Sequence, residues 1–341
     1  MRVTRRLAVL AALIVLIAGW AAPAAAAESC AHRGKLDPIY CDENGDGIAD
    51  PPKGPAKLLN PDTLVFAYVP VEDPAVYGPV FADLLRHLEK TTGKKVQYFG
   101  PQNYAAQLEA MRSGRLHVTG YSTGSVVWAV HVAGAVPFAQ MATDRGPRGY
   151  HMVVIARGGD ARINAVADLK GKRVAHVSQT SSSGHQAPVF FFTKLGVVPG
   201  KDYEIVFSSK HDNSILGVVN GDYDAAPVAD TVLERMVNRG VVKRGDYKVV
   251  YTSPVFPTAG FSYYHALDPK LAAKIKEAFY TFKIQGTSLG KDFRDATHFV
   301  PIDYRKDWEA VAGMLDANGV VFSRDSAEYK KFSAPPRKGG E

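Results

Sequence analysis

The feature that most constrains the fold is a repeated alternation of short apolar runs with segments of helical periodicity. It occurs twice, over residues 63–145 and again over residues 170–252. In the first block, the continuous apolar run at residues 64–69 is followed by apolar positions at helical spacing over residues 80–88. Such alternation predicts parallel sheets covered by helices, with ligands bound at the carboxyl ends of the strands. Two blocks predict two lobes of an α/β protein.

Two further extended runs, at residues 150–155 and 261–265, adjoin the second block. A chain that leaves one lobe, builds the other and returns must cross between them twice, so these runs predict a hinge with a cleft between the lobes. The expected division is lobe 1 from residues 62–152 and 264–322, lobe 2 from residues 153–263, and a polar tail over residues 323–341.

Composition limits the classes of function. The 341 residues, of which 46% are hydrophobic and 22% charged, match ordinary globular usage and exclude a disordered chain. The net charge of +7 is weak evidence for a nucleic-acid partner, because the basic residues are scattered and no basic stripe is interleaved with aromatic residues. We therefore expect no nucleic-acid partner.

The first 27 residues have the pattern of a secretory signal peptide. A basic start at residues 2–6 precedes an apolar stretch at residues 7–20 and a run of small residues after Pro23. A retained membrane anchor is the alternative, since the apolar stretch is nearly long enough to span a bilayer, but Pro23 favours cleavage. We expect an exported, periplasmic protein and leave open whether the Sec or the twin-arginine route is used.

Residues 28–61 form a prefix and linker ahead of the first block. Cys30 and Cys41 are the chain's two cysteines, and in an oxidising compartment so close a pair predicts a disulfide. The acidic run after Cys41 has the alternating oxygen side chains and glycines of the first half of a calcium loop. Lys53 stands where an EF-hand carries its last glutamate, so a calcium site and a plain acidic turn both remain open. The candidate Ca²⁺ ligands are Asp42, Asn44, Asp46 and Asp50. No cofactor is required.

A series of short motifs follows the same two blocks. In chain order these are Phe66-Ala67-Tyr68, Pro101-Gln102-Asn103-Tyr104, Tyr121-Ser122-Thr123, Arg148-Gly149-Tyr150, Ser181-Ser182-Ser183-Gly184, Lys210-His211-Asp212, Asp224-Ala225-Ala226 with Asp230-Thr231, and Ser253-Pro254. Their order and spacing resemble the phosphate, phosphite and phosphonate substrate-binding proteins of ABC importers, over residues 64–315. The resemblance implies a type II periplasmic-binding fold with two hinge strands, each lobe being a mainly parallel sheet flanked by helices. It also implies a monomer that delivers a small phosphorus oxyanion to an ABC transporter permease in the inner membrane.

The serine triplet makes chemical sense independently of the resemblance. Ser181, Ser182 and Ser183 lie between a predicted strand and a predicted helix and are followed by Gly184. Hydroxyls and unpaired backbone N–H groups at a helix start form a site for an oxyanion, whereas simple capping needs only one serine. The resemblance assigns all three hydroxyls to the oxyanion.

The resemblance adds further ligand contacts. These are Tyr104, Tyr121 and Thr123 in lobe 1, Tyr150 at the hinge, and His211 at the start of a helix in lobe 2. As a cation or a neutral donor, His211 would hold the anion and tune affinity with pH. We expect neutral donors, rather than lysine or arginine, to hold the ligand's charge.

Asp230 is the expected determinant of selectivity. Its carboxylate accepts a hydrogen bond only from a protonated ligand oxygen or a ligand cation, which would exclude sulfate. Relatives that bind aminoethylphosphonate place acidic residues near the ligand amine, at positions corresponding to Thr231 and Ala259 here. Neither residue is acidic, so phosphite, methylphosphonate or the phosphate monoanion is the expected ligand.

Two other classes compete with this reading. Gly120-Tyr121-Ser122-Thr123-Gly124 satisfies the GxSxG pattern of a serine hydrolase, with Asp230 and either His265 or His298 in the order of a triad. A His-Gly-Gly-type oxyanion segment is missing from the sequence before it, and we expect no enzyme. The second alternative is a ligand-binding sensor for a membrane kinase, since surface residues that dock a permease or a kinase carry no motif.

Overall fold

Two β-sheets, each with helices packed on it, organise the part of the chain that the structure describes. The structure is a computed structural model and describes Cys30 and residues 32–333. The part built on the seven-stranded sheet is lobe 1, and the part built on the five-stranded sheet is lobe 2. The predicted two-lobe α/β class is confirmed. The predicted signal peptide lies outside the described residues.

The strands of both sheets alternate with helices along the chain. The strands are β1 (Thr63–Tyr68), β2 (Lys95–Phe99), β3 (Val118–Tyr121), β4 (Ala135–Thr143), β5 (Gly146–Pro147), β6 (Gly149–Arg157), β7 (Arg173–His176), β8 (Glu204–Phe207), β9 (Ala225–Ala229), β10 (Tyr247–Pro257), β11 (Gly260–Tyr264) and β12 (His298–Pro301). The helices are α1 (Tyr77–Thr92), α2 (Tyr104–Arg112), α3 (Thr123–Ala133), α4 (Ala187–Lys194), α5 (His211–Asn220), α6 (Asp230–Asn238), α7 (Pro269–Thr281), α8 (Ser288–Asp292), α9 (Tyr304–Asp307), α10 (Glu309–Ala317) and α11 (Ala327–Ser333).

The two sheets share one plan, in which three parallel strands are extended by antiparallel ones. In lobe 1, β1 pairs in parallel with β2 and β3, and Phe66 lies opposite both Tyr98 and Val118. The antiparallel strands β11, β4 and β12 follow on the β3 side. In lobe 2, β7 pairs in parallel with β8 and β9, and β6 and β10 follow as antiparallel strands. The carboxyl ends of the parallel strands therefore carry the loops that face the ligand.

Local sequence explains where several helices begin and end. Helix α1 ends at Gly93, whose φ of +71° is readily adopted only by a residue without a Cβ. Helix α2 begins after Asn103, whose side chain accepts a hydrogen bond from the N–H of Ala106. Every residue of α3 is buried, and its sequence is correspondingly apolar on all sides.

The chain crosses between the lobes at two short segments, residues 147–149 and 257–260, which together are called the hinge. Gly149 and Pro257 lie opposite each other, and the N–H of Thr258 donates to the carbonyl of Arg148 at 3.3 Å. The two extended runs expected to be hinge strands are strands within the sheets, since residues 150–155 belong to β6 in lobe 2 and residues 261–264 to β11 in lobe 1. The crossings are the few residues beside them.

The prefix packs on lobe 1. The predicted disulfide between Cys30 and Cys41 is present. Tyr40 is buried with its ring edge-on to His265, at 5.0 Å between ring centres, and Asp37 forms an ion pair with Arg112 at 3.2 Å. The prefix is therefore part of the folded body of lobe 1.

The acidic loop of the prefix is held by its own backbone. Asp42 accepts hydrogen bonds from the N–H groups of Asp46 and Gly47, both at 2.9 Å, and Asp50 accepts one from Glu43 at 2.6 Å. The described residues contain no group of three or more His, Cys, Asp or Glu side chains arranged to hold a metal ion. Calcium binding by this loop stays a prediction.

Among the described residues, no helix combines the length and the apolar character needed to cross a bilayer.

Candidate functional site

A cavity of about 50 Å³ lies between the lobes, beside the hinge. A cavity of this order has room for a few waters or one small tetrahedral anion. Most of its polar wall consists of hydroxyl groups. The polar lining residues are Tyr68, Ser122, Thr123, Arg148, Tyr150, Ser181, Ser182, Ser183, His211, Thr231, Arg235 and Thr258. The apolar lining residues include Val69, Val71, Ala229, Val232, Ala259 and Phe293.

The serine triplet forms a tight turn at the lobe 2 side of the cavity. A single π-helical turn, Ser182–Gln186, leads into α4, and the Ser181 hydroxyl caps it by accepting from the N–H of Gly184 at 3.1 Å. A Cβ on Gly184 would lie 2.5 Å from the Val177 side chain, so only glycine fits this turn. The first N–H groups of the turn have no helical partner. Hydroxyl and N–H donors are thus presented together.

Two buried hydroxyls that lack a partner in the described part of the chain line this cavity. The side-chain oxygens of Ser182 and Thr258 line it, are buried, and have no hydrogen-bond partner among the described residues. The hydroxyl of Tyr104, beside the serine turn, is also buried without a hydrogen-bond partner among the described residues. Burial raises the pKa of Tyr104, and the neighbouring Ser181 hydroxyl offsets part of this rise. Buried polar groups are nearly always satisfied in native proteins, so two unpartnered hydroxyls in one cavity wall indicate a missing acceptor.

Thr123 and Tyr150 close the hinge side of the cavity. The Thr123 hydroxyl donates to the carbonyl of Pro257 at 2.7 Å and lies 3.5 Å from the Tyr150 hydroxyl. Burial raises the pKa of Tyr150, and the hydroxyls of Ser183, Thr123 and Ser182 offset only part of this rise. Tyr150 is therefore a protonated phenol and a hydrogen-bond donor at neutral pH.

His211 faces the cavity as a neutral donor. Its Nδ1 lies 3.2 Å from the N–H of Ala229 and accepts from it, which assigns the ring proton to Nε2. Burial, reinforced by the charge of Arg235, lowers the pKa of His211 to about 3. Of the two roles expected for this histidine, the structure supports the neutral one, and titration of His211 does not provide a pH response near neutrality.

Two arginines stand in the cavity wall, contrary to the expectation that neutral donors alone would line it. Arg148 is paired with Asp295, its Nε lying 2.8 and 2.9 Å from the two carboxylate oxygens. Arg235 is buried and paired with Glu72 at 2.7 Å. Each guanidinium has its own carboxylate outside the lining, Asp295 for Arg148 and Glu72 for Arg235, so the positive charge of the two arginines is balanced from behind the cavity wall. Arg148 belongs to one of the quoted motifs, whereas nothing in the sequence marked Arg235.

Two predicted ligand residues lie elsewhere. The Tyr121 hydroxyl points into lobe 1 and donates to the carbonyl of Gln107 at 3.5 Å, so the structure does not bring it to the cavity. Asp230 lines a neighbouring cavity of about 230 Å³, and its carboxylate accepts from the N–H of Thr231 at 2.6 Å. Burial raises the pKa of Asp230. The remaining predicted residues, Thr123, Tyr150, Ser181, Ser182, Ser183 and His211, line the cavity, and Tyr104 lies against the serine turn.

The hydrolase pattern is not assembled into a triad in the described structure. The Ser122 hydroxyl donates to Ser125 at 2.8 Å. His265 contacts the carbonyl of Asp50, and His298 contacts Thr297, each through Nδ1. The hydrogen bonds at Ser122 therefore supply no general base.

The fold and the donor-lined cavity define the class of protein. Two α/β lobes joined by a hinge, with an anion-sized cavity at the carboxyl ends of the strands, are the architecture of a type II periplasmic solute-binding protein. The family described as "ABC transporter, phosphonate, periplasmic substrate-binding protein" matches residues 66–308. The chain belongs to this family, whose members are binding proteins and not enzymes. The family is periplasmic.

Individual relatives agree with this assignment. The phosphate-import protein PhnD of Mycolicibacterium smegmatis is 30% identical over 241 residues, covering 68% of this chain and 75% of its own. A binding-protein component of a phosphonate ABC transporter from Pseudomonas aeruginosa superposes with a TM-score of 0.69 at 21% identity, covering 79% of this chain and 92% of its own. PhnD1 of Prochlorococcus marinus, solved with methylphosphonate, superposes with a TM-score of 0.68 at 19% identity, covering 76% and 99%.

Proposed function

We propose that this protein captures one small phosphorus oxyanion in the cavity between its lobes and delivers it to an ABC permease. The observation that carries the proposal is the pair of buried hydroxyls of Ser182 and Thr258, which lack partners among the described residues and line a cavity of the size of a small anion. An oxyanion supplies the acceptors that these donors lack. Two of the similar proteins described above support a phosphorus oxyanion as the ligand. They are the phosphate-import protein PhnD and PhnD1, which was solved with methylphosphonate.

The cavity favours an anion with a small, apolar substituent. Hydroxyl groups and His211 line one part of the wall, while Val69, Val71 and Ala259 line another. Phosphite and methylphosphonate present oxygens to one side and hydrogen or methyl to the other. Thr231 and Ala259 both line the cavity, and neither offers a carboxylate to a ligand amine. Aminoethylphosphonate is therefore the poorer fit.

Ligand charge provides a second criterion. Because Arg148 and Arg235 are paired with carboxylates and His211 is neutral, burying a dianion costs more than burying a monoanion. Phosphorus oxyanions keep a proton in part of the population near neutral pH, whereas sulfate does not. We therefore expect discrimination against sulfate to come from the wall, in which each arginine is already balanced by a carboxylate, and not from Asp230, which lines the neighbouring cavity.

Isothermal titration calorimetry tests the proposal. The purified protein is titrated with phosphite, methylphosphonate, aminoethylphosphonate, phosphate and sulfate. We expect micromolar or tighter binding of one of the bare phosphorus oxyanions, with sulfate and aminoethylphosphonate at least tenfold weaker. Absence of binding by every phosphorus anion would overturn the proposed ligand class. Delivery is tested by anion uptake in cells that carry or lack the gene.

A further inference from the structure

A short segment of lobe 1 reaches across the cleft and is held by lobe 2. This segment, residues 69–73, follows β1 and is called the clamp segment. The carbonyl of Val71 accepts from the N–H of His211 at 2.9 Å, and the N–H of Asp73 donates to the Asp212 carboxylate at 2.9 Å. Val69 and Val71 also line the ligand cavity. Helix α5 therefore contacts the ligand cavity and the clamp segment through neighbouring residues.

Glu72 is the charged centre of the clamp segment. Its side chain is 3% exposed. Oε2 accepts from Arg235 Nε at 2.9 Å, from Arg235 Nη2 at 2.7 Å and from the Tyr77 hydroxyl at 2.7 Å. Oε1 accepts from Arg239 Nη1 at 2.8 Å. Both carboxylate oxygens are thus satisfied by two arginines of lobe 2, Arg235 in α6 and Arg239 directly after its last residue.

The same helix makes a second connection to lobe 1. Arg239 is also paired with Asp292 of α8 at 2.8 Å. The Arg235 guanidinium lies over the ring of Phe293, 5.1 Å from its centre, and both side chains line the cavity. The ion pairs of Glu72 and Asp292 with Arg235 and Arg239 exist only while the lobes are together. On opening, Tyr77 can stay with Glu72 because both belong to lobe 1, whereas Arg235 loses its carboxylate.

We propose that Glu72 is a positioning residue for ligand binding, which stabilises the closed form and orients Arg235 in the cavity wall through its cross-cleft pairs with Arg235 and Arg239. The inference rests on the proposed function for its ligand. Glu72 itself is not among the cavity-lining residues. The Glu72 carboxylate therefore contributes to affinity without touching the anion, because it shifts the equilibrium between the open and closed forms towards the closed form.

The variant Glu72→Gln tests this role because it keeps the size of the side chain and removes its charge. We expect affinity for methylphosphonate to fall at least tenfold, mainly through faster dissociation. At a ligand concentration that saturates the unmodified protein, solution X-ray scattering should give a larger radius of gyration for the variant. The matched control is Glu234→Gln, which breaks an exposed ion pair with Arg244 inside lobe 2 and should leave affinity and radius unchanged.

A second variant separates the clamp from effects on folding. Arg239→Gln removes the part-exposed ion pair between Arg239 and Glu72 and keeps the Glu72–Arg235 pair. Its loss of affinity and its increase in radius of gyration should therefore be smaller than those of Glu72→Gln. If both variants bind within twofold of the unmodified protein at the same radius of gyration, the clamp is overturned, whatever happens to their melting temperatures. If the unmodified protein binds no phosphorus anion, the proposed function fails. Scattering of the ligand-free proteins then decides the clamp, and equal radii for Glu72→Gln and the unmodified protein would overturn it.

Discussion

At the scale of single residues, the site depends on hydroxyl groups that are buried without a hydrogen-bond partner. Ser182 and Thr258 line the cavity without a hydrogen bond from the described residues. A buried unpaired hydroxyl destabilises the ligand-free fold and regains that free energy when an acceptor enters. Such groups therefore contribute to affinity and not to stability.

Replacing Ser182 by alanine should weaken binding without weakening the fold. A hydrogen bond to a charged group contributes about 1.5–3 kcal/mol, so Kd should rise roughly 10- to 100-fold. The melting temperature of the ligand-free protein should not fall, since no hydrogen bond of the Ser182 hydroxyl is lost. Calorimetry with the tightest ligand and thermal unfolding measure the two quantities.

The matched control is Ser262→Ala. Ser262 is also buried with an unpartnered hydroxyl among the described residues, but it lies in β11 outside the cavity lining. Its replacement should leave Kd unchanged. Equal effects of the two substitutions on Kd would contradict the assignment of the site.

Buried neutral histidines should make the fold sensitive to acid. Burial lowers the pKa of His211 to about 3 and that of His185 to about 4, against about 6.5 in the unfolded chain. The unfolded state therefore binds protons first, and stability falls as pH drops below about 6.5 towards these values. At pH 5 each histidine should lower the free energy of unfolding by about 2 kcal/mol.

Denaturant unfolding between pH 7.5 and pH 5 measures this loss. The Nδ1 of His185 lies 2.8 Å from the Nδ1 of His176, and His176 also contacts the Tyr203 hydroxyl. The variant His185→Asn keeps a polar atom near Nδ1 and removes the titration, so its stability should fall less steeply with acid. A stability profile that stays flat down to pH 5 would contradict the prediction.

At the scale of elements, the prefix is a brace on lobe 1. The bridge from Cys30 to Cys41 closes a loop with a sequence separation of 11, which by chain entropy is worth about 3 kcal/mol. The double substitution of both cysteines by serine should lower the melting temperature by several degrees. None of the described prefix residues lines the cavity, so Kd should not change. A change in Kd would show that the prefix acts on the ligand site.

The sequence predicts a helix best where only one face of the helix is buried, because its apolar residues then recur at helical spacing. The apolar spacing of residues 80–88 predicts a helix, and α1 spans these residues with most of its apolar positions buried. Strands β4 and β12 were not predicted. β12 has four residues at the edge of its sheet, and β4 follows the apolar helix α3 after Gly134, so that periodicity does not separate helix from strand there.

At the scale of the whole molecule, closure requires very close approach of the lobes. Gly124 in α3 of lobe 1 lies against the serine turn of lobe 2. A Cβ at this position would lie 2.7 Å from the Thr180 carbonyl oxygen and 3.1 Å from the Ser182 nitrogen. The absence of a side chain here is what lets the two lobes meet at the cavity.

Replacing Gly124 by alanine should therefore obstruct closure and leave folding intact. We expect Kd to rise at least tenfold, while the melting temperature of the ligand-free protein changes little because the lobes can remain apart. The control is Gly313→Ala in α10, where a Cβ would meet no described atom within 4 Å. A Gly124→Ala protein that binds as tightly as the control would contradict the close approach.

The sequence by itself determined the features that depend on neighbouring residues. The two β/α blocks follow from hydrophobic periodicity, and the disulfide follows from having only Cys30 and Cys41 to pair. The serine turn follows from three hydroxyl residues and a glycine where a strand gives way to a helix. These signals are local, and local backbone preference is sufficient to decide them.

Only the tertiary structure decided which side chains converge. Tyr121 and Thr123 are two residues apart, yet one points into lobe 1 and the other lines the cavity. Asp230 falls in the neighbouring cavity, while Arg235, one turn further along α6, enters the wall beside Glu72. The side to which a side chain points depends on strand register and on how the lobes close, which are set by contacts between residues far apart in the sequence.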